Sequence, residues 1–202
     1  MKILVYASDD SWNELITGIS DIEWLRALTI SSFIPGKHID AYFDLTEEPD
    51  GHDYSNFNKP VFINRVLKGT GYFENVIRIN GWRSLIKRNS WELSGKQTDE
   101  CLEILKNINK KAVFVPDEHG FISARIISMI INEAYFAKAE NVSTEKEIDT
   151  AMKLGTNYPY GPFEWGEMIG IKNIYKLLKV LSETDTRYKP CYLLEQEALK
   201  SL

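Results

Sequence analysis

Ala112-Val113-Phe114-Val115-Pro116-Asp117-Glu118-His119-Gly120-Phe121-Ile122 is the stretch in which the chain changes its period. The apolar run at 112–115 has the length of a buried strand and ends on Pro116-Asp117-Glu118, residues that stop a strand and open a turn. Over residues 120–139 the apolar positions recur instead at helical spacing, through Phe121, Ile122, Ile126, Ile127, Ile130, Ile131, Ala134 and Tyr135. Met129, Phe136 and Ala137 carry the apolar surface almost all the way round, so this helix is expected in the middle of a bundle.

N-terminal to this stretch the reading is a sheet. Ile3-Leu4-Val5-Tyr6 is a continuous apolar run bounded by Ser8, Asp9 and Asp10, the pattern of a strand buried on both faces of a parallel sheet. Further short apolar runs follow at 22–28, 39–45, 60–66 and 76–79, separated by turn-forming pieces such as Pro35-Gly36 and Pro49-Asp50-Gly51. Their spacing leaves little room for full crossover helices, which predicts an α/β sheet with shortened connections. Residues 97–110 are helical, with Cys101, Leu102, Ile104, Leu105 and Ile108 on one face. Asp9 and Asp10 read as caps of a helix beginning near Ser11 or Trp12.

C-terminal to the stretch everything reads as helix. Thr144 is an N-cap with Glu145 and Glu147 in the favourable first turn, and the helix it starts is expected to end on a left-handed Gly155. A Pro/Gly turn at 158–162 separates it from helices over 163–169, 171–183 and 193–202. The expected fold is an α/β N-terminal part, mainly a parallel sheet, over 1–117, followed by an all-α domain over 118–202.

Composition excludes several classes of function. The 202 residues carry 29 acidic against 24 basic side chains, a net charge of −5, so no electrostatic reason for a nucleic-acid partner exists. Cys101 and Cys191 stand far apart with no CxxC pair or histidine cluster beside them, which argues against a disulfide framework or a zinc site and predicts no metal. Charged residues interrupt every apolar run before membrane-spanning length, and the N-terminal run is too short for a secretory signal, so a cytoplasmic protein without a membrane contact is expected.

Several motifs are more specific. Phe114 to Ile122 as quoted, then Arg125, Asn132-Glu133-Ala134, Ile148-Asp149-Thr150-Ala151-Met152-Lys153-Leu154-Gly155, and Tyr158-Pro159-Tyr160-Gly161-Pro162-Phe163-Glu164 follow one another in an order and spacing that resemble the C-terminal domain of 3-hydroxyacyl-CoA dehydrogenases. The resemblance covers about residues 113–202. It implies a reduced Rossmann-like N-terminal domain, a homodimer formed through the helical domain, and an acyl-CoA-like small-molecule ligand.

The same resemblance says where chemistry should lie. The family binds NAD on a glycine-rich turn after the first strand, because bare backbone lets the pyrophosphate approach a helix N-terminus. The three corresponding positions hold Ala7, Asp9 and Trp12, and the acid expected at the end of the second strand is replaced within Leu25-Arg26-Ala27. No cofactor is therefore expected. The family's base, a His oriented by a Glu, corresponds to Asn80 and Glu92, and an amide offers no proton-accepting nitrogen. The family's Asn-x-Ser-Ser segment corresponds to Asn64-Arg65-Val66-Leu67, and Ala124 takes the place of its catalytic Asn. Glu92 is thus the one retained candidate, read equally as a relic of a catalytic set or as a surface or strand-end carboxylate.

The remaining candidates have plainer readings. His38, His52 and His119 lie in different loops and read as exposed or turn-stabilising, while Trp12, Trp82 and Trp91 read as core fillers. Three functions stay open: a family member without NAD-dependent dehydrogenase activity, dimeric and binding acyl-CoA or another small ligand; an active oxidoreductase of fatty acid metabolism with an atypical site; and a protein-interaction subunit.

Overall fold

The computed structural model describes residues 1–47, 51–67 and 73–200, and divides into two compact units, Met1–Phe121 and Ile122–Leu202. The expected turn at Pro49-Asp50 and the last two residues of the C-terminal helix lie outside the described residues.

The first unit is built on one seven-stranded sheet: β1 (Lys2–Tyr6), β2 (Glu23–Ala27), β3 (Ala41–Asp44), β4 (Val61–Asn64), β5 (Val76–Ile79), β6 (Ser90–Ser94) and β7 (Lys111–Phe114). Its order is β2-β1-β3-β4-β5-β6-β7. Every pairing is parallel except β5 with β6. β3, β4 and β5 are buried along their whole length, which is what continuous apolar runs such as Val61-Phe62-Ile63 require.

Two helices belong to this unit, α1 (Asp9–Ile16) between β1 and β2 and α2 (Asp99–Asn107) between β6 and β7. Both lie on one face of the sheet. Leu15 of α1 and Cys101, Ile104 and Leu105 of α2 pack with Ile3, Val5, Phe43, Phe62 and Leu93. The opposite face is covered by irregular connections, with Phe33, Tyr54 and Phe57 against Tyr42, Val61 and Ile63. Phe57 stands edge-on to Tyr42 with ring centroids 4.7 Å apart, a preferred aromatic geometry. The shortened connections expected from sequence thus cost the sheet its helices on one face, and aromatic loop residues supply the missing cover.

The second unit is helical: α3 (Ser123–Ala139), α4 (Glu145–Thr156), α5 (Pro162–Ile169), α6 (Ile171–Ser182) and α7 (Tyr192–Lys200). α3 contacts the four other helices, which is the central position expected of an all-round apolar helix, although it leaves Ile126 more than half exposed. Asn132 of α3 ties the bundle to its last connection, its side chain donating to the Lys189 carbonyl at 3.0 Å and accepting from the Cys191 amide at 2.8 Å.

Three local expectations are corrected. The N-cap of α1 is Ser8, whose hydroxyl accepts from the Ser11 amide, and Asp9 and Asp10 form the first turn rather than the cap. The helix expected from residue 120 begins at Ser123, because Gly120 and Phe121 both take positive φ, 84° and 50°. Asn157, at φ 57° and ψ 35°, is the left-handed cap of α4; Gly155 remains inside the helix. An Asn side chain tolerates that conformation, so the helix runs on to the next residue able to end it. Thr144 caps α4 as expected, in a reciprocal capping box with Glu147.

Candidate functional site

In a doubly wound sheet a ligand binds beyond the carboxyl ends of the strands, where the strand order reverses. Here β1 has β2 on one side and β3 on the other, so the reversal falls beside Ala7 and Ser8. The Ser8 hydroxyl is already spent on the Ser11 amide at 3.3 Å. Arg26, near the end of β2, lies across the turn: its guanidinium donates to the Ala7 carbonyl at 3.1 Å and to the Asp9 carboxylate at 2.6 Å, and sits over the Trp12 ring.

Asp10 is met from the other side. Arg83 pairs with Asp10 at 3.1 Å, and the Ser84 amide donates to Glu14 of α1 at 2.9 Å. Ser84 takes a left-handed φ of 70° to do so, while Trp82, Leu85 and Ile86 beside it are buried. The N-terminus of α1 therefore carries two carboxylates of its own, each met by an arginine. A diphosphate placed there meets carboxylates already paired with arginines, and side-chain bulk, instead of open amides, so the residues of this turn do not fit a dinucleotide in the family's pose.

Asn80 follows β5 and Glu92 lies in β6. The Asn80 Nδ2 donates to Glu92 Oε2 at 3.1 Å, and its backbone amide donates to the Glu92 carbonyl at 3.2 Å. Asn80 is 6% exposed, and its Oδ1 is buried without a hydrogen-bond partner among the described residues. The turn that presents it is held by Asn64 at the end of β4, whose Oδ1 accepts from the Gly81 amide at 3.1 Å. A Cβ at position 81 would come within 2.9 Å of the Asn64 side chain, so this turn needs glycine for close approach.

Asn64, Asn80 and Glu92 are thus brought together at one sheet edge. Ala124 is buried in α3 of the second unit. Sequence reasoning missed Arg83 and Arg78, and it read His52 as exposed or turn-stabilising without finding its partner Asp44. Arg78 of β5 is 1% exposed; its guanidinium pairs with Asp117 and donates to the carbonyls of Arg65, Val66 and Glu118. An arginine inside an apolar strand announces no partner in the sequence, and Arg83 meets Asp10 across a long separation. Among the described residues no group of His, Cys, Asp and Glu is arranged to hold a metal ion.

The motif-rich segment of the helical unit is explained by packing. The Asp149 carboxylate of α4 accepts from the Phe163 and Glu164 amides at 2.8 and 3.2 Å, satisfying the N-terminus of α5. Burial, outweighing those hydrogen bonds, raises the Asp149 pKa. Glu164 returns to the Gly161 amide at 2.8 Å and also pairs with Lys153, which lowers its pKa. A groove of about 570 Å³ opens beside this latch, with Glu145, Asp149, Glu164, Glu167 and Glu197 on its walls. Its surplus of carboxylates makes it a poor seat for the phosphates of a coenzyme A.

A mainly parallel sheet with a reversal point, followed by a helical unit, is a Rossmann-like architecture joined to a helical domain. Residues 120–201 match the family model described as 3-hydroxyacyl-CoA dehydrogenase, C-terminal domain. The 3-hydroxyadipyl-CoA dehydrogenase of Escherichia coli (strain K12) is 42% identical over 104 residues, 50% of this chain and 22% of that protein. The 3-hydroxybutyryl-CoA dehydrogenase of Clostridioides difficile is 40% identical over 107 residues, 52% of this chain and 38% of that protein. The alignments thus span well under half the length of these relatives. The solved structure of (S)-3-hydroxybutyryl-CoA dehydrogenase PaaH1 from Ralstonia eutropha superposes with a TM-score of 0.69 over 99% of this chain and 94% of that one, at 19% identity, a likeness of fold. Residues 120–201 thus belong to the 3-hydroxyacyl-CoA dehydrogenase family, as its C-terminal domain.

That membership corrects one expectation. The family's dehydrogenases are NAD-dependent, so the reading that no cofactor serves this chain is overturned. What the residues do show is that the turn after β1 does not offer a dinucleotide the seat the family uses.

Proposed function

We propose that this chain is a 3-hydroxyacyl-CoA dehydrogenase family protein that binds an acyl-CoA-like small ligand through the Asn80–Glu92 pair and does not carry out NAD-dependent dehydrogenation there. The observation that carries this reading is the orientation of Asn80. A carboxylate accepts only, so the amide must turn its NH₂ toward Glu92 and its oxygen away. That oxygen is buried and unpaired, which costs about 1–3 kcal/mol unless a ligand donates to it. A 3-hydroxyl group supplies such a donor. It binds there without losing its proton, because an amide oxygen is not a general base at neutral pH.

The helical unit is read as the surface through which two copies form a homodimer, in keeping with the family, and the buried free thiols Cys101 and Cys191 suit a reducing cytoplasm. Isothermal titration with 3-hydroxybutyryl-CoA, NADH and NADPH tests the reading, together with a turnover assay. Binding of the thioester, weakened roughly fivefold to tenfold by Asn80→Ala as befits one hydrogen bond of about 1 kcal/mol, is the expected result. Oxidation of that thioester by the wild-type chain in the presence of NAD would overturn it.

A further inference from the structure

We propose that Asp44 and His52 form a proton-accepting dyad at the end of β3, a site for a neutral, hydroxyl-bearing small molecule that is separate from Asn80 and Glu92. Asp44 is the last residue of β3 and is fully buried. Its Oδ1 accepts from the Thr46 amide at 3.1 Å and the Thr46 hydroxyl at 2.5 Å, and its Oδ2 from the Tyr54 hydroxyl at 2.9 Å. His52 Nδ1 lies 2.5 Å from the same Oδ2. One amide and two hydroxyls donate to these two oxygens, so the carboxylate acts as an acceptor on both sides and invites a further donor from Nδ1.

The consequence falls on the imidazole. With Nδ1 holding its proton toward Asp44, a neutral His52 keeps its lone pair on Nε2, and the tautomer is set by the carboxylate. The histidine side chain is 21% exposed, and Nε2 has no hydrogen-bond partner among the described residues. An anchoring role for the 45–60 connection would use Nδ1 and leave Nε2 idle. The Tyr6 and Tyr54 rings stand at 6.1 and 6.4 Å from the imidazole, an aromatic surround that suits an uncharged molecule. The dyad also stands beside the β1/β3 reversal of strand order, where open α/β sheets take their ligands. A lone-pair nitrogen in such a place calls for a donor, and a hydroxyl is an uncharged donor that can hydrogen-bond to it.

The test needs no variant and so does not depend on a mutant folding. Nitrogen-correlated NMR of the imidazoles reads the tautomer directly. Diethyl pyrocarbonate then reads reactivity: a neutral ring nitrogen attacks its carbonyl carbon, and ethyl carbonate leaves with the proton the ring gives up. We expect His52 in the Nδ1–H tautomer and modified several times faster than His38 and His119 at neutral pH. Methyl 3-hydroxybutyrate should slow that modification, while methyl butyrate, which lacks the hydroxyl, should not. An Nε2–H tautomer, a rate no greater than that of His38, or two esters acting alike would each overturn the proposal.

Discussion

At position 161 the absence of one methyl group holds two helices together. A Cβ built there falls 2.2 Å from Asp149 Cγ, closer than any relaxation of neighbouring side chains comfortably absorbs, because Asp149 is itself fixed by the Phe163 and Glu164 amides. Gly161→Ala is therefore expected to destabilise the chain by about 1–3 kcal/mol, the usual range for overpacking. Thermal unfolding followed by circular dichroism would show this as a lowered Tm; an unchanged Tm would mean the α4–α5 latch is looser than drawn. Arg78 is the corresponding residue of the sheet unit. Arg78→Met keeps the bulk but leaves the carbonyls of Arg65, Val66 and Glu118 without its donors, at about 0.5–1.5 kcal/mol each. Urea titration should move its midpoint to lower denaturant with an unchanged slope.

Among the elements, α4 depends most visibly on its ends. Thr144 and Glu147 close its N-terminus reciprocally, and Asn157 closes its C-terminus in the left-handed conformation. Thr144→Ala should cost about 1 kcal/mol through the lost cap, read as a Tm lower by roughly 2–4 °C for a chain of this size. The Glu147 carboxyl is held below its ordinary range by hydrogen bonds from Ser143 and Thr144. A lowered folded pKa contributes stability that is fully present above the ordinary glutamate range and is lost as pH falls through the folded value. Glu147→Gln should accordingly remove part of the acid-side loss of stability: the wild-type advantage, clear at neutral pH, should shrink below the ordinary glutamate pKa. A constant difference across that range would contradict the capping assignment.

For the whole molecule, the helical unit closes its own helix ends and its own core, with Ile174, Leu177 and Leu178 of α6 buried and Asn132 and Asp149 satisfied within it. A fragment of residues 122–202 is expected to show a helical circular dichroism spectrum and a cooperative melt, since it carries its own apolar core. A featureless, unfolded spectrum would tell against it. If the proposed homodimer forms through this unit, light scattering of the full chain should give twice its 23.3 kDa mass. A mass of one chain at micromolar concentration would sink the dimer.

The amino-acid sequence alone determined the two architectures, because each rests on local periodicity: unbroken apolar runs for buried strands, a 3.6-residue recurrence for α3, and the Asp149 and Gly161 motifs for the α4–α5 turn. It also showed that glycines are missing after β1, and the family resemblance led to the expectation that Asn80 stands in a base's position. Tertiary structure decided what fills those gaps. Arg26 and Arg83 converge on Asp9 and Asp10 from separate segments, Arg78 finds its carbonyls across two connections, and His52 meets Asp44 at the end of β3. Charge pairs and hydrogen bonds between residues distant in the chain leave no periodic trace, so only the fold, by placing strand ends side by side, reveals which side chains meet.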